Sequence, residues 1–222
     1  MPGWLFTTDQ AAASLFFKTA HTPLGPNRGM TELYPMMTSV AREFKQLVQS
    51  VGHDQLAART PCTKYDVRAL VNHVLYWGPW LEAAARKEPP PTETRGETEV
   101  DLTNGEWAAA LEKRVDGLVD AFGLPGAWEG TTTMGGGELP ASMVGEMVFG
   151  EFVVHAWDLA KATGRPWSCN NDVAVAAYAA TVGMAEQGRQ MGIFGPEVPV
   201  PASASALDRL VGLTGRDPDW TP

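Results

Sequence analysis

The chain has 222 residues, 17 Lys and Arg against 26 Asp and Glu for a formal charge of −9, and 44% hydrophobic against 19% charged residues. It is long enough for one domain with a real core, too apolar to be a disordered chain, and too acidic for a phosphate-backbone binder, which needs a basic face. No apolar run nears the roughly 20 residues that cross a bilayer. Cys62 and Cys169 are far apart and show no Cys-x-x-Cys spacing, and the Met1-Pro2-Gly3-Trp4 start lacks a basic leader. Reduced thiols in a soluble, cytoplasmic protein are therefore expected, with neither nucleic acid nor membrane as partner.

Residues 1–29 read as an N-terminal arm. Thr8 can cap a short helix to about Thr19, and His21 opens a Pro/Gly-rich break. The domain is expected over 30–222. From Thr31, apolar Leu33, Met37, Val40, Phe44, Leu47 and Val51 recur in steps of three and four, as on an amphipathic helix. Asp66 is the expected N-cap of a second helix to about Lys87, with Val67, Leu70, Val74, Trp77 and Leu81 on one side and a kink or interruption at Gly78-Pro79.

Pro89-Pro90-Pro91 stops that helix. Glu93, Glu97, Glu99 and Asp101 then read as a solvated linker without function. Thr103-x-x-Glu106 has the form of a capping box for a third helix carrying Trp107, Leu111, Val115, Leu118 and Phe122. Gly123 to Gly137 reads as loop. A fourth helix is expected from Pro140 to Gly164, a fifth from Asn170 or Asn171 to about Met191, then an extended stretch from Gly195 to Pro201 and a short helix from Ser205. No long period-2 pattern occurs. The expected class is all-α, a bundle of four long helices.

Of the four histidines, His21, His53, His73 and His155, two face the predicted interior. His73 lies between Leu70 and Trp77 in helical register. His155 follows Glu151 by one turn, on the face extended by Val144 and Val148. A buried carboxylate beside two imidazoles is costly unless a charge compensates it, and a divalent metal does so while leaving positions open. Hydrogen-bonded core histidines are the competing reading, and spacing alone does not say that the two helices meet.

Three segments carry a family resemblance: Thr60-Pro61-Cys62-x-x-Tyr65-Asp66-Val67-x-x-Leu70-x-x-His73; Glu151-x-x-x-His155-x-Trp157-Asp158-Leu159-Ala160-x-x-x-Gly164; and the tail from Val200 through Leu207, Gly215 and Arg216 to Trp220. Together they resemble the mycothiol-dependent maleylpyruvate isomerase N-terminal family of DinB-like metal-binding four-helix bundles, in a single-domain actinobacterial branch, over about Met30 to Trp220. The resemblance implies His73, Glu151 and His155 as metal ligands, zinc foremost with nickel, iron or manganese as alternatives, and mycothiol as a co-substrate. Tyr65 departs from the tryptophan usual in the branch. The family's isomerase also has a further C-terminal domain without counterpart up to Pro222, so the reaction class is implied rather than that one substrate.

Around this set, Asp158 is expected either to orient His155 or to pair with Lys161 or Arg165. Trp77, Trp80 and Trp157 could wall an apolar substrate or belong to the core, and Cys62 reads as a small buried residue. Three functions stay open. The first is a metal-dependent isomerase or thiol transferase acting on a small molecule. The second is a specialised-metabolism enzyme using the same bundle without a thiol. The third is a noncatalytic metal-binding or stress-response protein, closed by a fourth ligand such as His53. A homodimer is compatible with any of them.

Overall fold

The computed structural model describes residues 29–222. The expected Thr8-capped helix and His21 lie outside the described residues. A π-turn over Gly29–Leu33 leads into α1, Tyr34–Gln49, whose Met37, Val40, Phe44 and Leu47 are buried as their spacing requires. The second helix, α2, spans Val67–Arg86 and starts where expected, with the Asp66 side chain accepting the Ala69 N–H at 2.8 Å. Pro79 lies inside it without ending it. The missing N–H costs one hydrogen bond, but buried Ala83, Ala84 and Ala85 continue the helix for two more turns.

α3 spans Trp107–Phe122, yet the expected capping box is absent: Glu106 occupies the N-cap position without a side-chain capping bond. The Thr103 hydroxyl is engaged elsewhere, donating to Asp101 at 2.5 Å and accepting from Arg68 at 2.7 Å. The expected loop before Pro140 also differs. Thr131–Met134 (β1) and Gly137–Pro140 (β2) form an antiparallel hairpin in which Thr132 faces Leu139 and Met134 faces Gly137. Gly135 and Gly136, at φ of 64° and 78°, make its two-residue turn, which needs left-handed backbone at both central positions. Strands of four residues are too short to declare themselves by alternation.

α4, Ala141–Thr163, is buried nearly all round and ends at Gly164 with φ of 64°. The expected fifth helix is two. α5, Asn171–Val182, is capped by the Asn170 side chain, and α6, Ala185–Gln190, follows a break at Gly183. α7, Ala206–Leu213, starts at Ser205, whose hydroxyl accepts the Asp208 N–H.

The four long helices close a ring in which α1 packs on α3, α3 on α2, α2 on α4, and α4 on α1; α5 lies outside α4 and α7 on α5. Among the described residues this is an all-α DinB-like bundle with one small hairpin. No helix among the described residues is long and apolar enough to cross a membrane. Cys62 is buried, Cys169 half-buried, and both are free thiols.

Candidate functional site

Because α2 and α4 are ring neighbours, His73 on the first meets Glu151 and His155 on the second. The Oε2 of Glu151 lies 2.7 Å from His155 Nε2 and 3.6 Å from His73 Nε2, and the two imidazole centroids are 5.4 Å apart. One ligand-type atom from each of the three residues falls within 4.8 Å of the others. Such a group could hold a metal ion. Both histidines are buried, whereas the Glu151 side chain is 36% exposed and turns toward a cleft.

Each histidine has its other nitrogen tied. Asp158 Oδ2 accepts from His155 Nδ1 at 3.1 Å, and the His73 Nδ1 lies 3.2 Å from Glu97 Oε1 and 2.9 Å from the Tyr65 hydroxyl. A hydrogen bond from Nδ1–H to a carboxylate leaves Nε2 as the electron-pair donor, and here both Nε2 atoms face Glu151. Asp158 contacts the His155 ring nitrogen, and its cationic partner is neither Lys161 nor Arg165. Lys161 donates to the Pro218 and Trp220 carbonyls and Arg165 to the Ser50 carbonyl. Asp158 is instead held by Arg216, at 3.3 Å from Nε and 3.0 Å from Nη2.

Glu97 corrects the reading of its segment as solvated, since its side chain is only 10% exposed. It is carried inward by a strap laid on α2. Asn72 donates to the carbonyls of Glu97 and Val100 at 3.0 and 3.1 Å, its Oδ1 accepts the Leu102 N–H, and the Tyr76 hydroxyl donates to the Arg95 carbonyl. Trp77 Nε1 then donates to Glu97 Oε2 at 2.8 Å. Tyr65 is placed by the loop before α2, where the Thr60 hydroxyl donates to the Tyr65 carbonyl at 2.6 Å and accepts the Cys62 N–H.

The charges explain the proton affinities. Burial disfavours the charged form of His155, but the Glu151 carboxylate and the Asp158 hydrogen bond outweigh it and push its pKa up to about 10. His73 is raised too, against burial, by Glu151 and Glu97. Burial likewise opposes ionisation of Glu151, yet His155 and His73 hold it well below the ordinary carboxylate range. Asp158 is lowered chiefly by Arg216, again against burial. Burial, with Glu97 and Glu151 nearby, drives Tyr65 upward and keeps its phenol neutral. Three carboxylates thus face one arginine and two imidazoles: the buried site carries surplus negative charge, which protons or a metal cation can balance.

The cleft in front of Glu151 is partly open to solvent, with Phe44, Trp77, Leu81, Met147 and Phe152 among its walls. A second lobe, reaching Gln187, Thr214 and Arg216, shares Met147, Glu151, His155 and Ile193 with the first. A family model, the mycothiol maleylpyruvate isomerase N-terminal domain, matches residues 37–160, more than half the chain. The chain belongs to that family. It is 29% identical over 176 residues to two uncharacterized proteins of Mycobacterium tuberculosis, one from each of two strains, covering 78% of this chain and 91% of theirs. Its fold is similar to crystal structures of the mycothiol-dependent maleylpyruvate isomerase and of a histidine-to-alanine mutant of it, with TM-scores of 0.54 and 0.56, 18% identity, and coverage of 76% of this chain and 74% of theirs.

The stretch matched to the family includes His73, Glu97, Glu151, His155 and Asp158 but not Arg216. Glu97 was hidden in the sequence because nothing distinguishes it from its acidic neighbours. Arg216 had a signal, its place in the tail motif, but no partner to assign. His53 is exposed and packs edge-on to Trp107, away from the site. Of the tryptophans, Trp77 lines the cleft and Trp80 packs against it at 6.2 Å. Trp157 is buried under Lys161 and lines neither lobe.

Proposed function

We propose that this protein is a metal-dependent enzyme of the thiol-dependent isomerase or thiol-transferase type, acting on a small molecule with mycothiol as co-substrate. One observation carries the reading: two imidazole nitrogens and a carboxylate converge on a cleft wall, with both opposite ring nitrogens tethered. Family membership supports the thiol and the reaction type.

Two nitrogens and one oxygen suit zinc, and nickel, iron or manganese accept the same set. His73, Glu151 and His155 would hold the ion, which supplies Lewis acidity to lower a bound thiol's pKa or polarise a carbonyl. Glu97 and Asp158 fix the two rings, so little reorganisation remains when the site fills. Trp77, Phe152 and Met147 give the cleft side an apolar wall, so a reactant that fills it displaces water and strengthens each electrostatic contact there. Among the described residues the group has three members, which leaves room for a reactant rather than closing the site as a structural centre would be closed. The proposed functional unit is residues 30–222.

The test is elemental analysis of protein purified without chelator, beside His73→Ala, Glu151→Gln and His155→Ala. The expected result is one equivalent of metal in the parent, most of it lost in each variant, and a mycothiol-induced thermal shift only in the loaded parent. Sub-stoichiometric metal in the parent, or equal metal in all four proteins, overturns the reading.

A further inference from the structure

The second lobe is built where the chain leaves the stretch matched to the family: α4 gives it one wall, and the segment 181–216 gives the others. Val154, Met184, Met191 and Phe194 make those walls apolar, and most of the polar groups among them are already spent. The Thr181 hydroxyl donates to the Ala177 carbonyl at 2.8 Å, and the Thr214 hydroxyl to the Val211 carbonyl at 3.0 Å. Arg216 gives Nε and Nη2 to Asp158 and Nη1 to the Thr214 carbonyl. Gln187 is the exception. It is only 7% exposed, and its Nε2 has no hydrogen-bond partner among the described residues. The backbone beneath it is fixed, since Arg189 of the same helix donates to the Leu213 carbonyl at 3.1 Å and the Phe194 ring packs on Gly188. A buried N–H without a partner costs stability, and native folds keep few of them.

We infer that the second lobe is a ligand subsite in which Gln187 Nε2 donates to a carbonyl-type oxygen (of a ketone, ester, amide or carboxylate) on a bound small molecule. The inference rests on the reading of this centre as a small-molecule site, and adds to it a binding residue and a chemical feature of the reactant. An acceptor is specified because the amide nitrogen brings hydrogens and no lone pair to the lobe. The carbon and sulfur of Met184, Met191 and Phe194 suit the apolar chain that carries such an oxygen, and methionine adapts to its shape. One well-placed donor in an otherwise apolar pocket fixes how a ligand lies. Because both lobes share Met147, Glu151, His155 and Ile193, a molecule anchored at Gln187 presents its adjoining atoms to the candidate metal ligands. Binding then removes the cost of the buried unpaired amide, so the donor is more useful to the complex than to the fold.

The experiment uses the full-length chain with carbon-13 methyl labels on its methionines. Met184 and Met191 report on the second lobe, Met134 on the first, and Met147 on both. The probes are 4-phenylbutan-2-one and its hydrocarbon isostere, in which a methylene group replaces the carbonyl oxygen. Each is titrated into the parent and into Gln187→Met, which keeps the side-chain length and removes the amide. The ketone is expected to shift the Met184 and Met191 methyls, and its preference over the hydrocarbon should fall roughly tenfold in the variant. Ligand-free Gln187→Met should melt no lower than the parent, because an amide without a partner contributes nothing to the fold. Should methionine not fit, Gln187→Leu is judged by the same two measures. Unmoved Met184 and Met191 methyls, an unchanged preference, or melting well below the parent in both variants overturns the inference, the last by showing that the amide is spent within the fold. Zinc content of the same samples keeps the two readings apart: a protein that takes the ketone through Gln187 but no zinc refutes the metal centre alone, while one that takes zinc and leaves the Met184 and Met191 methyls unmoved refutes the subsite alone.

Discussion

Arg216 and Asp158, 58 residues apart in the chain, form a fully buried two-point ion pair, and the same Asp158 Oδ2 that Arg216 holds at 3.0 Å accepts the His155 Nδ1–H at 3.1 Å. The orientation of a candidate ligand on α4 is thereby tied to the tail that follows α7. Paired burial of this sort is weak evidence for stability in itself, but removing one partner strands the other. Arg216→Met should destabilise the protein by about 3–5 kcal/mol, a melting point lower by on the order of 10 °C. Adding Asp158→Leu to it should return part of the loss. A double-mutant cycle by thermal melts checks this, and a neutral Arg216→Met would show that the pair holds nothing.

Glu97→Gln keeps the shape of the strap's inward residue but weakens its hold on the His73 Nδ1–H. Zinc affinity should fall by roughly 10- to 100-fold, the usual cost of losing an orienting partner, with a much smaller change in the melting of the chelated protein. Asn72→Ala, which releases the strap from α2, should act in the same direction. Competition with a chromophoric chelator measures both. Parent-like affinity in Glu97→Gln would mean that Tyr65 alone orients the ring.

Gly145, inside α4, is a packing requirement rather than a helix preference. A Cβ there would come within 2.2 Å of the Trp128 ring, which is buried and donates its N–H to the Phe122 carbonyl at 2.9 Å. Gly145→Ala gains about 1 kcal/mol of helix propensity but forces the indole to shift, at a cost of about 1–3 kcal/mol. The clash wins because the buried Trp128 ring is also packed against Gly29, where a Cβ would come within 2.3 Å of it. Urea denaturation should show net destabilisation; a more stable variant would contradict the packing described.

The metal-free protein should be most stable in mildly acidic solution. The folded pKa of His155, about 10, lies above the unfolded value near 6.5. Its contribution is therefore fully present below about pH 6.5 and is lost as pH climbs through the folded value. Glu151 and Asp158 are shifted down, so their contribution is present above about pH 4 and is lost as acid approaches their depressed values. Denaturation of chelator-treated protein should give falling stability from pH 6 to pH 10, and a rise over that range would refute the assignment. Zinc should reverse the trend at the alkaline end, since it needs deprotonated imidazoles. At about 1,000 times its Kd it should add about 4 kcal/mol.

Helix existence and the inward faces of His73 and His155 could be read from the sequence alone, because a 3.6-residue period expresses burial directly; Glu151, expected buried on the same face, stays 36% exposed toward the cleft. The local signals at Asp66, Asn170, Ser205 and Gly164 worked for the same reason: a cap is satisfied within three or four residues. Thr103 shows where local reasoning ends, since its hydroxyl was claimed by Arg68, 35 residues earlier. The acidic stretch, the tail and the hairpin were decided only in three dimensions. Glu97 reaches His73 because Asn72 grips its carbonyl and Tyr76 that of Arg95, and Arg216 reaches His155 through Asp158; neither contact leaves a periodic trace. Nor does any spacing state that α2 and α4 are neighbours. The pattern determined which side chains turn inward, while packing around a closed ring of four helices determined which of them meet.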